Sequence, residues 1–166
     1  MPEGTAADEG FNALVAELDY PMFIVTVTDG TRRAGCLIGF AAQCSIGPVR
    51  FMAWLSKNNY THSVARHADV LAVHLPTAGD RAIVALFGTE TGFETDKFAR
   101  CSWQEGPGGV PLLDGCPQWF AGRILERHDT GDHVGYLLEP IAAGRTSGRP
   151  QLGFQSVRSL DAGNDA

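Results

Sequence analysis

The chain has 166 residues, with 13 Lys and Arg against 19 Asp and Glu and a formal net charge of −6; its length suits one domain with a core of its own. The acidic balance, without any Lys/Arg run, argues against a nucleic-acid partner, because nothing is present to neutralise a phosphodiester backbone. No apolar run reaches the roughly 20 residues of a membrane span, and the acidic start MPEGTAADEG lacks the basic region of a signal peptide, so a cytoplasmic protein without membrane contact is expected.

Residues 1–10 read as a flexible lead. Phe11, Leu14, Val15 and Leu18 then recur at helical spacing and predict a short amphipathic helix that ends near Tyr20-Pro21 and covers one end of the core. From Met22 the pattern turns to the β-branched run FIVTVT, followed by Asp29-Gly30, a two-residue hairpin signal leading into RRAGCLIGF. A third strand is expected from Val49 to Leu55, a helix from Tyr60 to Ala68 and a fourth strand from Val70 to Leu75. Asp80 is a candidate cap for a short helix reaching Phe87, and Thr95 for another over Asp96 to Ala99. GPGGVP reads as a loop and PLLDGCP as a turn; two long strands follow, Gln118 to His128 and His133 to Ala142, joined through Thr130-Gly131-Asp132. Beyond Gly144 the periodicity fades, so residues 145–166 read as a partly disordered C-terminal extension. About six strands joined mainly by tight turns imply a mainly β fold, an antiparallel barrel rather than a parallel α/β sheet.

The chemistry has few candidates. No G-x-G-x-x-G follows the first strand and no P-loop is present. Cys36, Cys44, Cys101 and Cys116 show neither a C-x-x-C pair nor His-bearing zinc spacing; they read as reduced, mostly buried thiols, and no metal site is expected. In AGCLIGFAAQCSIGPVRF, glycine inside a strand marks close approach of something flat to the backbone, or simple packing. In LSKNNYT, the side chains of Ser56, Lys57, Asn58, Asn59 and Thr61 meet at a helix start, where free N–H groups and the helix dipole attract a phosphate. Ordinary capping beside a solvated Lys explains the same residues, and composition alone favours it. His133 at the last hairpin is either a proton donor beside a ligand or a solvated turn residue. His62, His67, His74 and His128 form no ligand spacing. In ETDKFARC, Lys97 supplies a positive charge and Phe98 a wall, or they are a solvated charge and a core aromatic.

Taken in order, YPMFIVTV, GCLIGFAAQCSIGP, LSKNNYT, DKF, GVPLLDGCPQWFAGRI and GDHVGYLLEP resemble the flavin reductase-like family. These are FMN-binding split-barrel proteins that include reductase components of two-component monooxygenases. The resemblance runs from about Asp19 to Gly144. It implies a six-stranded antiparallel Greek-key split β-barrel with a few short peripheral helices over residues 11–144. It also implies FMN, or else FAD, against Leu37, Ile38, Gly39, Gln43, Cys44 and Ser45, with its phosphate near Ser56, Lys57, Asn58 and Thr61 and with Lys97 and Phe98 nearby. NADH or NADPH would stack close to His133, the catalytic candidate, in a homodimer that supplies reduced flavin to a monooxygenase or another acceptor.

Where the family has G-x-T-x-S-S-F-x-S-V-S-x-x-P, this chain departs from it. Leu37 replaces the Thr, and Gly39 and Phe40 replace two Ser, so hydroxyl contacts must pass to backbone groups or to Gln43. Ser45 is kept and Cys44 stands at the Val position, while Gly47 and Val49 replace a common Asp and Pro. A non-catalytic FMN-binding module, or a split barrel using a deazaflavin or a haem, are the alternatives; no His holds an evident axial position for haem.

Overall fold

The run FIVTVT is apolar or β-branched at every position because both faces of the strand it forms are covered. In the structure, a computed structural model that describes residues 4–144 and 150–163, this strand is β1 (Phe23–Thr28). Phe23, Val25 and Val27 point into one core cluster, and Met22 and Ile24 into a second. Before it lies α1 (Ala6–Val15). After it come β2 (Arg33–Ile38), β3 (Ala41–Ser45), β4 (Arg50–Ser56), α2 (Tyr60–Ala65), β5 (Val70–His74) and α3 (Arg81–Thr89). Two short strands, β6 (Trp103–Glu105) and β7 (Pro111–Leu113), pair with each other. The long strands β8 (Trp119–Asp129) and β9 (His133–Gly144) close the sequence of elements.

Seven strands form one antiparallel sheet in the order β2-β1-β5-β8-β9-β4-β3. The edge strands β2 and β3 are neighbours in sequence, joined only through Gly39 and Phe40. The stretch read as one strand is therefore two, which raises the expected six strands to seven in this sheet. At the break, the chain passes beneath the Tyr20 ring, and the Phe40 carbonyl accepts from the Trp54 N–H at 2.9 Å. Among the described residues no ladder joins β2 to β3.

Other differences have local causes. The first hairpin turns over four residues, not two, because the Asp29 carboxylate accepts the N–H groups of Thr31 and Arg32 at 2.9 and 2.7 Å. Those donors hold its carboxyl down to about 2. Helix α1 starts within the expected flexible lead because Thr5 and Asp8 form a reciprocal capping box. It buries no residue and leaves Phe11, Leu14 and Leu18 more than half exposed, so it does not cover the core as its periodicity suggested. Asp80 precedes α3 but makes no cap, its carboxylate accepting instead from Thr77. Asp96, not Thr95, caps the single 3-10 turn over Lys97–Arg100. Of the thiols only Cys36 and Cys116 are buried, and Cys44 is exposed.

The segment after residue 149 is ordered through residue 163, with one 3-10 turn over Phe154–Ser156 and isolated bridges at Gln151 and Gly153. Met22 donates to Leu152 O and Leu152 to Pro76 O, each at 2.9 Å, while Leu152 and Val157 enter the second core cluster. Residues 164–166 of the expected disordered tail, and residues 145–149, lie outside the described residues. No helix among the described residues is long and apolar enough to cross a membrane.

His74 ties three strands together in the core. Fully buried, it bonds the Ile24 carbonyl through Nδ1 at 3.0 Å and accepts the Leu113 N–H at Nε2, 3.1 Å away. The second bond needs a bare Nε2, so the ring is neutral, and desolvation lowers its pKa from 6.5 to about 4. A depressed imidazole pKa means that the unfolded chain binds the extra proton. Its stabilisation is therefore complete above pH 6.5 and is lost as pH falls toward 4, by about 3 kcal/mol over that window. Urea midpoints measured from pH 7 to pH 4.5 will fall in the wild type, and the fall will be shallower in His74→Gln, which has no ring to protonate.

Candidate functional site

The β4–β9 register sets Ser56 opposite His133, so the end of one strand and the start of the next meet beside the Gly39-Phe40 break. The C-terminal turn of α3 closes the other side. Between them lies a cavity of about 260 Å³, lined by Leu37, Ile38, Gly39, Phe40, Trp54, Ser56, Asn59, Phe87, Gly88, Glu90 and His133, with Tyr20, Met22 and Phe154 at its wall. Tyr20 and Phe154 are stacked, ring centroids 4.7 Å apart and planes 13° from parallel. Gly39 is forced by this wall: a Cβ there would stand 2.5 Å from Tyr20 Cε2 and 3.1 Å from Met22 Sδ. Leu37 has a packing role, since an added Cβ on Gly88 would meet its Cδ2 at 3.1 Å; the pair lets α3 lie close on β2.

Across the mouth, Phe40 and His133 pack at 5.0 Å with their rings tilted by 49°. His133 Nδ1 meets the Asp132 carboxylate at 2.7 Å, and this hydrogen bond pulls the Asp132 carboxyl below its usual range. Tyr20, Phe40, Trp54, His133 and Phe154 also line a second, larger compartment of about 720 Å³, whose far wall is α1 through Phe11, Asn12, Val15 and Ala16.

The turn from Ser56 to Thr61 carries the local bonds of a helix start. Ser56 Oγ accepts the Asn58 N–H at 3.3 Å, and Asn59 Oδ1 accepts the Thr61 N–H at 2.9 Å. Lys57 Nζ bonds both Asp129 oxygens at 2.8 Å, which lowers the Asp129 carboxyl. Thr61 Oγ1 is buried, and its polar neighbour there is the Cys36 thiol. Burial raises the neighbouring Cys36 thiol.

The structure brings Leu37, Ile38, Gly39, Ser56 and His133 to one cavity, with Lys57, Asn58 and Thr61 in the adjoining turn. Gln43, Cys44 and Ser45 lie along edge strand β3 and do not line it; Gln43 is exposed and bonds Ser45 O. Lys97 and Phe98 line a separate cavity of about 360 Å³ with Arg32, Arg33 and Tyr60. Lys97 is buried, and its Nζ donates inward to Gly35 O at 2.8 Å and Phe87 O at 3.3 Å. It thereby pins β2 to the C-terminal carbonyls of α3, although desolvation lowers its pKa. Phe98 packs edge-on against Phe87 and Trp103. Tyr20, Trp54 and Phe154 escaped the sequence reading; a Tyr before a Pro and a Phe after a Gly carry no periodic signal.

The family described as flavin reductase like domain matches residues 15–158. The chain belongs to that family. A curated relative, the NADH-dependent FMN reductase RutF of Ancylobacter novellus, is 27% identical over 150 residues, spanning 90% of this chain and 82% of its own. Among solved structures, the NADH:FAD oxidoreductase SgcE6 of Streptomyces globisporus C-1027, in complex with NAD and FAD fragments, superposes with a TM-score of 0.78. That match has 21% identity and covers 98% of this chain and 94% of that one. Nitrilotriacetate monooxygenase component B from Mycobacterium thermoresistibile superposes with a TM-score of 0.75 at 19% identity, covering 86% and 78%.

The inward bonds of Lys97 make it a tether between β2 and α3, the two walls of the 260 Å³ cavity. Lys97→Met leaves two carbonyls without their donor and will cost about 2 kcal/mol. A chemical denaturation curve will show the loss as a lower midpoint at an unchanged slope; a wild-type midpoint would mean that the tether contributes nothing.

Proposed function

We propose that this chain is an NAD(P)H:flavin oxidoreductase that takes FMN, with FAD as the other candidate, and transfers hydride to it from a reduced nicotinamide. The observation that carries the reading is the slot beside Gly39, where the stacked Tyr20 and Phe154 rings and the Phe40–His133 pair wall a space for a flat heterocycle. At the other end, the turn from Ser56 to Asn59 would present hydroxyl, amide and ammonium groups to a phosphate. Bound flavin would supply the two-electron chemistry, and the protein supplies position and exclusion of water.

In this reading the ring lies along Leu37, Ile38 and Gly39, where the backbone groups of the bend stand in for the hydroxyls lost with the Thr and two Ser. The phosphate sits at the turn of Ser56, Asn58, Asn59 and Thr61, where Lys57, anchored by Asp129, adds positive charge. His133, oriented by Asp132, faces the donor side of the slot as the group that holds or delivers a proton. Gln43, Cys44 and Ser45 lie apart from the cavity, so they reach the flavin only from a second protomer; the proposed homodimer would bring them there. The seven-stranded sheet would curl into the split barrel of the family, its six-stranded core extended by the short edge strand β3. The product flavin serves a monooxygenase or another acceptor; the likeness to the RutF FMN reductase and to the nitrilotriacetate monooxygenase component supports that assignment.

The test is NADH and NADPH oxidation by the purified protein with and without added FMN or FAD. Flavin-dependent oxidation is expected, and its absence together with no micromolar FMN binding would refute the assignment. Ser56→Ala combined with Lys57→Ala will weaken FMN roughly tenfold or more while barely changing riboflavin, which has no phosphate. Equal losses for both ligands would remove the phosphate from this turn.

A further inference from the structure

Beyond residue 149 the chain is held in two unequal ways. Up to Val157 it is anchored: Leu152 and Val157 enter the second core cluster, and the Gln155 amide donates to Ala16 O at 3.0 Å and Leu18 O at 2.8 Å. From Arg158 to Gly163 every residue is exposed. The hydrogen bonds of this stretch to described residues are local, from the Leu160 N–H to Val157 O and from Arg158 Nη1 to Gln155 Oε1, each 2.9 Å. The lightly held stretch nonetheless lies on the site. Ala162 lines the 260 Å³ cavity. Leu160 reaches the place where Leu37 meets α3, its Cδ1 3.7 Å from where a Cβ on Gly88 would stand. Gly163 runs so close to the end of α3 that a Cβ there would stand 2.6 Å from Thr89 O and 2.8 Å from Thr91 N. A segment with few buried contacts and no long-range hydrogen bond sits at the low end of local stability.

From this arrangement we infer that residues 158–163 are a strap hinged at Val157, which at rest closes the α3 rim of the slot and swings away to let flavin enter and leave. The inference rests on the flavin reading and adds its regulation: the strap, and not the pocket walls alone, sets how long the flavin stays. The walls suit that division. Tyr20 and Phe154 are held by their ring stack and by the bond from the Phe154 N–H to Tyr20 O, and β2 and α3 by the Lys97 tether. None of these opens without breaking core contacts. The strap opens by lifting one exposed leucine and one glycine contact. Lids of this kind move on microsecond to millisecond time scales and commonly limit product release. Cys36 marks the closed state, because it lines the same cavity and is only 3% exposed; a reagent reaches its thiol through the slot.

The test uses the full chain and two variants that lift the strap through separate contacts. Leu160→Ser removes the apolar contact, and Gly163→Val puts a side chain where the backbone at the end of α3 already stands; neither residue lines the slot. Stopped-flow quenching of FMN fluorescence should show association and dissociation both about fivefold or more faster in each variant, with Kd changed less than either rate. A fixed piece of wall behaves otherwise. Dissociation alone would then rise and Kd would weaken by the same factor, which overturns the inference, as do wild-type rates in both variants. The flavin-free readout is alkylation of each cysteine by N-ethylmaleimide, followed by mass spectrometry. Cys36 should react about fivefold or more faster in the variants, while Cys116, buried in the second core cluster, keeps its wild-type rate. Equal acceleration at Cys116 would mean a loosened core and overturns the strap, and so does an unchanged Cys36 rate. If the wild type binds no FMN, the flavin reading falls, while the labelling of Cys36 still decides whether the strap opens.

Discussion

Tyr20 lies against the backbone of Gly39 on one side and face to face with Phe154 on the other, and the site depends on that sandwich. The three residues come from the segment before β1, from the break between β2 and β3, and from the chain after residue 149. Backbone bonds from Met22 to Leu152 and from Phe154 to Tyr20 O hold the outer two together. Aromatic pairs of this kind add about 0.5–1.5 kcal/mol beyond the area they bury. Here the same contact decides where β2 ends, why Gly39 carries no side chain, and what walls the cavity. The C-terminal segment is thus part of the site rather than an appendage of it.

The electrostatics follow the same division between structure and function. Lys97, buried with its Nζ donating inward to Gly35 O and Phe87 O, locks β2 to α3. His74, neutral, locks β1, β5 and β7 together. Beside the mouth stand Lys57 with Asp129 and His133 with Asp132, pairs in which the carboxylates are exposed. Exposed pairs of this kind add little to stability, so their placement beside the slot is of more interest for ligands than for the fold.

Much of the fold was legible where one physical signal dominated. The β-branched run of β1, the turn residues before β9 and the polar cap before α2 each produced the element expected. The sequence reading failed where an element is held by something it could not display. α1 has a helical period but no partner in this chain, so its apolar face lines a compartment instead of a core. The segment from 150 to 163 has no period because two backbone bridges and two apolar anchors order it. Of the residues that line the cavity, Gly39, Ser56 and His133 were singled out through glycine, capping and turn signals, and Leu37 through the family resemblance. Tyr20, Trp54 and Phe154 were not, because an aromatic that walls a ligand slot looks in sequence like one that fills a core. Lys97 looked like a ligand for an anion, and only its buried carbonyl partners disclose the tether.

The claim on which the rest stands is that the slot beside Gly39 receives the flavin ring. It is tested most directly by titrating FMN into the wild type and into Gly39→Val, following quenching of flavin fluorescence, with circular dichroism to establish that the variant is folded. The account predicts saturable micromolar binding to the wild type and a loss of about tenfold or more in the folded variant, because the added side chain displaces the Tyr20 ring that walls the slot. Wild-type affinity in folded Gly39→Val would contradict it.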